Sequence, residues 1–190
     1  MLSVIIPTEG VEQTAVATLS ALVLGAAAGV VTEVLLVDRS PDSSVIERVA
    51  DVAGCHFMKF EGSQAAAMAA GAANARAPWL MFLPAGAMLD PGWIDETMQF
   101  VQSVSAAGRP RAGVFRYARS PYAAIGLRDR LRAVARVLVG PLGDQGLLIA
   151  RDHYRQLGGY KPDHKRAETR LLRQLGRSSR TMLRSRIVMV

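Results

Sequence analysis

Trp79-Leu80-Met81-Phe82-Leu83-Pro84-Ala85-Gly86-Ala87-Met88-Leu89-Asp90-Pro91-Gly92-Trp93 is the stretch on which the reading of this chain turns. Its first five residues are apolar, a run short enough for a buried strand, and Pro84 stops it. A turn rich in Gly and Pro follows. Pro91 then opens a helix to about Ser105, since proline suits the first helical turn. A buried strand that runs through a loop into a helix fits an open α/β sheet, where ligands bind beyond the carboxyl ends of the strands. The tip after Leu83 is therefore the first place to look for chemistry. Yet Pro84, Ala85, Gly86 and Ala87 carry no carboxylate, imidazole or thiol.

The segments before this stretch repeat its pattern. Residues 2–6 (Leu-Ser-Val-Ile-Ile) form a β-branched apolar strand ended by Pro7. Residues 12–24 place Val16, Leu19, Leu22 and Val23 at helical spacing. Residues 33–37 make a second strand ending at Asp38. A turn, Arg39-Ser40-Pro41-Asp42-Ser43, follows, in which Asp42 or Ser43 can cap a helix to about Val52. Residues 55–60 are a third strand, and 63–75 an alanine-rich helix with Gly71 at a close packing contact. Strands alternating with helices imply βαβ units and a mainly parallel sheet. After residue 106 the pattern changes: a strand at 113–118, a helix at 127–139, a loop at 140–146, a short helix at 150–157 stopped by Gly158-Gly159, a basic amphipathic helix at 167–175 and a last strand at 187–190. No repeat, linker or second domain interrupts the chain. The expected organisation is one domain over 1–190, with a first half at 1–106 and a second half at 107–190 that carries a basic C-terminal helix.

Composition narrows the classes. At 190 residues, half of them hydrophobic, the chain can bury a core and is not disordered. Its single cysteine, Cys55, excludes an intramolecular disulfide and reads as a small core residue. Cysteine poverty and the lack of a signal peptide point to the cytoplasm. Residues 13–32 carry no charge and are long enough to span a bilayer, but Gly25 and Gly29 and four interspersed polar side chains read instead as a helix leading into a strand. The net charge of +7 comes wholly from residues 164–190, where Lys165 and seven arginines face only Glu168. Such a tail is either a solvated helix face or a surface for phosphate, anionic lipid or nucleic acid. No paired His or Cys spacing suggests zinc, and no Gly-rich phosphate loop is present. His56 reads as a structural strand residue, His153 as a surface residue, and Trp79 and Trp93 as core.

Six segments in order carry a resemblance. Ser3-Val4-Ile5-Ile6-Pro7-Thr8-Glu9, Val34-Leu35-Leu36-Val37-Asp38 with the turn after it, Ala66-Ala67-Met68-Ala69-Ala70-Gly71-Ala72, and the stretch 79–93 are followed by Gly143-Asp144-Gln145-Gly146 and Arg151-Asp152-His153-Tyr154-Arg155-Gln156-Leu157-Gly158-Gly159-Tyr160. In this arrangement the chain resembles the family 2 glycosyltransferases, which have the GT-A fold and transfer a sugar from a nucleotide-sugar donor. The resemblance implies a Rossmann-like α/β fold over nearly the whole chain and a UDP- or GDP-linked donor. It places Pro7, Thr8, Glu9 and Asp38 against the nucleotide, and leaves the acceptor unknown. Asp38 then either meets the base or, as a turn carboxylate, caps a local amide.

The family also uses a divalent metal, Mn or Mg, held by an Asp-x-Asp-type motif to stabilise the leaving diphosphate. Here those positions fall on Pro84 and Gly86, which offer no ligand side chain, so the resemblance is to a degenerate member. The usual acidic pair before the last helix falls on His164-Lys165, and Ala67 and Ala69 stand where relatives have polar residues. Asp144 remains as the candidate base or acceptor contact. Three functions fit: a transferase that works without a carboxylate-held metal, with arginines at 128, 130, 132 and 136 or in the tail on the diphosphate; an inactive nucleotide- or partner-binding domain; or a basic peripheral module whose tail binds anionic lipid or nucleic acid. Specific nucleic-acid recognition is not expected.

Overall fold

The computed structural model describes residues 1–118, 146–161, 167–176 and 178–190. One eight-stranded sheet joins the two halves in the order β3-β2-β1-β4-β7-β6-β8-β5. β1 (Leu2–Thr8), β2 (Val31–Asp38), β3 (His56–Lys59) and β4 (Trp79–Phe82) pair in parallel through three ladders. β7 (Leu147–Ala150) pairs antiparallel with β4 and with β6 (Ala112–Ala118), whose far side carries β8 (Arg180–Met189) in parallel. β5 (Ala87–Leu89) closes the edge antiparallel to β8. The fold is the expected α/β sheet flanked by helices, with four of its seven ladders among the described residues parallel and three antiparallel.

The helices connect these strands: α1 (Glu12–Ala27), α2 (Ser44–Ala53), α3 (Gln64–Asn74), α4 (Trp93–Ala107), α5 (Arg151–Gln156) and α6 (Ala167–Gln174). Strand alternation sorts the core into two layers. Leu2, Val4, Ile6, Met81 and Leu83 pack with α1, α2 and α4, while Ile5, Leu35, Val37, Leu80 and Phe82 pack with α3, α5 and α6. The central strands are mainly apolar because both faces are covered. Gly71 is the close contact expected of it, since a Cβ there would stand 2.6 Å from Ile5 Cγ2. Trp79 and Trp93 are core residues, 7% and 2% exposed, as expected.

Several elements depart from the sequence expectations. β1 runs on through Pro7 to Thr8 because β4 has left its side by Ile5–Phe82, and only β2 continues alongside. β5 and β7 are strands of three and four residues, too short to show a period. The last strand begins at Arg180 rather than at 187, so Arg180, Arg184 and Arg186 lie on a strand and not on a basic helix. His153 is buried, at 9% exposure, where a surface residue was expected. Cys55 is half-buried at the margin of the core. Among the described residues no helix is long and apolar enough to cross a membrane. The expected helix at 127–139, with arginines 128, 130, 132 and 136, and the residues Asp144, His164 and Lys165 lie outside the described residues.

Candidate functional site

β1 is flanked by β2 on one side and β4 on the other, so chain order reverses between β1 and β4. In an open α/β sheet, ligands bind beyond the carboxyl ends of the strands at such a switch point. Here the β1–β4 ladder ends at Ile5–Phe82, and a cavity of about 290 Å³ lies beyond it. Pro7 and Glu9 line it from the end of β1, Arg39 from the end of β2, and Pro84 and Ala85 from the end of β4. Val11 and Thr14 of the α1 entry and Gln64 at the start of α3 complete it. A larger cavity of about 580 Å³ lies between α1 and α2, but its walls are mainly Val, Leu and Ala, with Glu12 and Arg48 its only charged groups. The polar set needed to orient a ligand is in the smaller one.

The wall of the cleft hangs on Asp38, which is fully buried. Its Oδ1 accepts from Thr8 Oγ1 at 2.8 Å and from the Gly10 N–H at 2.9 Å, and its Oδ2 accepts from Ser40 Oγ. Burial alone would raise its pKa; the hydrogen bonds from Ser40, Thr8, Ser43 and Gly10 outweigh that and hold the carboxyl below its ordinary value. Asp38 thus ties the β1–α1 loop to the β2–α2 loop. Gly10 turns that loop with φ +76°, and a Cβ there would meet Ser40 at 3.0 Å. Of the two caps considered for α2, Ser43 holds the cap position without a side-chain cap bond, and Asp42, one residue before it, accepts from the Ser44 N–H through Oδ1 at 3.0 Å.

Of the four residues expected at a nucleotide, the structure brings Pro7 and Glu9 to the cavity and sets Thr8 and Asp38 in the wall beneath it. Arg39 was read only as part of a turn, yet it faces the cavity. Its Nη1 donates to Gly62 O at 3.1 Å and its Nη2 pairs with the Glu9 carboxylate. The signal was its position, one residue past the end of a central strand on the carboxyl edge. Gln64 and Thr14 gave no such signal.

The tip after β4 is occupied by structure rather than by chemistry. The buried Gly86 N–H donates to Thr14 O and to Thr18 Oγ1, both at 2.9 Å, and its carbonyl accepts from the Val190 N–H at 3.1 Å. Its φ of +90° is open to glycine and costly for other residues. Asp90, at the foot of the same turn, is paired with Arg186 Nε at 2.9 Å. Among the described residues no three His, Cys, Asp or Glu side chains gather to hold a metal ion. The donors present at the tip therefore do not fit the divalent metal that the resemblance implies.

The segment 151–160 builds core. Phe82, Tyr154 and Tyr160 form an aromatic cluster with ring centroids 5.0–5.8 Å apart. The Tyr154 hydroxyl accepts from the Tyr160 N–H at 2.9 Å, and burial pushes its pKa up to about 12. Beside it Arg151 Nη1 donates to Ala75 O at 3.0 Å, tying α5 to the end of α3.

By sequence, the chain matches no protein family profile and no curated protein. By structure it is similar to glucosyl-3-phosphoglycerate synthase from Mycobacterium tuberculosis in complex with Mn2+, UDP and glucosyl-3-phosphoglycerate (TM-score 0.64, 14% identity, covering 100% of this chain and 70% of that one). It is similar to a mannosyltransferase from Pyrobaculum calidifontis in complex with GDP-Man and Mn2+ (TM-score 0.67, 17% identity, 98% of this chain and 56% of that one). It is also similar to TarS of S. aureus (TM-score 0.62, 12% identity, 99% and 57%). The chain thus spans between 56% and 70% of the lengths of these proteins. At such identities the likeness is one of fold, and that fold is the GT-A fold of glycosyltransferases.

Proposed function

We propose that the chain is a nucleotide-sugar-binding domain of the glycosyltransferase type, a degenerate member of family 2, which takes a UDP- or GDP-linked donor in the cleft between β1, β2 and β4. One observation carries this reading: the polar cavity opens at the switch point of the sheet, where a doubly wound fold binds its ligand. Two of the structural neighbours hold UDP with Mn2+ or GDP-Man with Mn2+, which supports the same ligand class here. The cavity, at about 290 Å³, sits at the foot of the range of about 300–1,000 Å³ usual for ligand pockets. It has room for a diphosphate and part of a nucleoside. In this reading Pro7 and Glu9 face the nucleotide, while Thr8 and Asp38 hold the wall that shapes its site. Asp144 is the candidate base for the acceptor hydroxyl.

A second reading, binding without transfer, is favoured by the tip itself, since Gly86 is committed to backbone bonds and Pro84 offers no ligand. A turnover assay separates the two. The protein is incubated with UDP- and GDP-sugars, in Mn2+ and then in chelator, and free nucleotide is followed. Turnover that drops on Asp144→Asn supports the transferase. Binding with no turnover of any donor supports the second reading, and no binding overturns both.

A further inference from the structure

We propose that Arg39 supplies the positive charge of this cleft, holding the ligand's diphosphate directly where a carboxylate-bound metal would otherwise stand, with Glu9 as the counter-ion that the ligand displaces. This rests on the nucleotide reading above and assigns the group that would meet the phosphates.

A nucleoside diphosphate is strongly anionic and needs a cation in a site partly closed to water. The residues at the tip of β4 cannot hold one, since Pro84 lacks a donor and Gly86 is bonded through both its N–H and its carbonyl. Among the described residues that line the cavity, Arg39 is the one cation, and Pro84 and Ala85 line the same cavity from the end of β4.

Arg39 is already fixed in place. Its side chain is 17% exposed, its backbone N–H donates to Thr8 O at 3.0 Å, and Nη1 is anchored on Gly62 O at 3.1 Å. Its Nε is buried with no partner among the described residues. A guanidinium held in this way gives up little freedom when an anion arrives, and its planar fork matches phosphate oxygens.

Glu9 is held quite differently. Its side chain is 67% exposed, so its carboxylate can swing into water as phosphate takes its place. Exposed pairs of this kind contribute little, so the exchange is cheap. The pair keeps the cleft neutral when empty and exposes a cation only to a ligand with enough negative charge to compete. A diphosphate qualifies better than a neutral sugar.

The experiment is calorimetric titration with inorganic pyrophosphate and with UDP, in chelator, of the wild type, Arg39→Gln, Arg39→Lys and Glu9→Gln. Both ligands should bind the wild type in chelator. Arg39→Gln should weaken each by roughly 10- to 100-fold, the scale of charge-assisted hydrogen bonds. Arg39→Lys should recover part of that, and Glu9→Gln should tighten pyrophosphate a few-fold by removing its competitor. Thermal melts establish that the variants fold; if Arg39→Gln does not, Glu9→Gln decides, because its exposed side chain can be changed without touching the core. Pyrophosphate binding that needs Arg39, with no binding of UDP or GDP, would keep the anion site and overturn the nucleotide reading. UDP binding unchanged by Arg39→Gln, or untightened by Glu9→Gln, would overturn the Arg39 assignment and leave the nucleotide reading standing.

Discussion

Replacing Gly86 with aspartate puts a carboxylate where the resemblance places half of an Asp-x-Asp motif, yet the structure predicts that the change damages the protein and creates no metal site. At φ +90° a residue with a side chain is strained, at a cost of about 1–3 kcal/mol. A Cβ at this position would stand 3.2 Å from the Val190 carbonyl oxygen, so the backbone just past β8 must yield by a few tenths of an ångström, while Met189 Cε at 3.5 Å and Thr14 Cγ2 at 3.6 Å would be ordinary contacts. Gly86 is itself buried, so a carboxylate is also desolvated. Strain and desolvation together come to about 2–6 kcal/mol, which in a chain of this size lowers Tm by roughly 4–24 °C. Gly86→Ala separates the causes, carrying the strain without the charge. Both variants should melt early, the aspartate earlier, and Mn2+ should raise neither Tm. An aspartate variant as stable as the wild type, or one stabilised by Mn2+, would refute the view that this turn is structural.

Further tests address the wall and the acid behaviour. Asp38→Ala strands the donors of Thr8, Gly10 and Ser40 and should cost about 2–4 kcal/mol in chemical denaturation, with nucleotide binding lost at the same time. Glu33 is held by Ser3, by the Arg76 side chain and by the Arg76 and Ala77 N–H groups; burial opposes ionisation, yet these bonds bring its pKa from 4.5 down to about 2. A depressed carboxyl stabilises above its unfolded pKa, so about 1–3 kcal/mol should drain away as pH falls from 4.5 toward 2, and Glu33→Gln should flatten that slope. Burial lowers the pKa of His153 below 6.5, so the unfolded chain binds the proton first. Stability should therefore decline as pH falls below 6.5, and His153→Leu should remove that decline in melts between pH 7 and 5.

The central sheet was legible because β1, β2 and β4 are buried on both faces, and their apolar runs are bounded by Pro, Asp and Gly. β5 and β7 were not, since strands this short are made by the neighbours they pair with: Leu80↔Ile149 and Ala87↔Met189 exist only after folding. β8 did carry a signal. Leu183, Ser185 and Ile187 point inward and Arg184 and Arg186 outward, a period of two hidden beneath an overall basic composition. His153 misled because Arg151 and Arg155 flank it, while the helix turns its ring and that of Tyr154 inward. At the site, sequence pointed to the strand ends beyond which the cavity lies; Pro7 and Glu9 line it, whereas Thr8 and Asp38 lie outside its lining. It missed Arg39 because a turn explains Arg-Ser-Pro-Asp without calling on the guanidinium. That Asp38 spends both oxygens on local donors is a fact of three-dimensional packing, and no spacing announces it.

The most direct test of the account is calorimetric titration of the purified protein with UDP and GDP, first in chelator and then in Mn2+. The account predicts binding of a nucleoside diphosphate that the chelator leaves unchanged, because the cleft carries Arg39 and, among the described residues, no cluster of metal ligands. Binding that appears only with Mn2+ would contradict the metal-free cleft, and no binding under either condition would contradict the site itself.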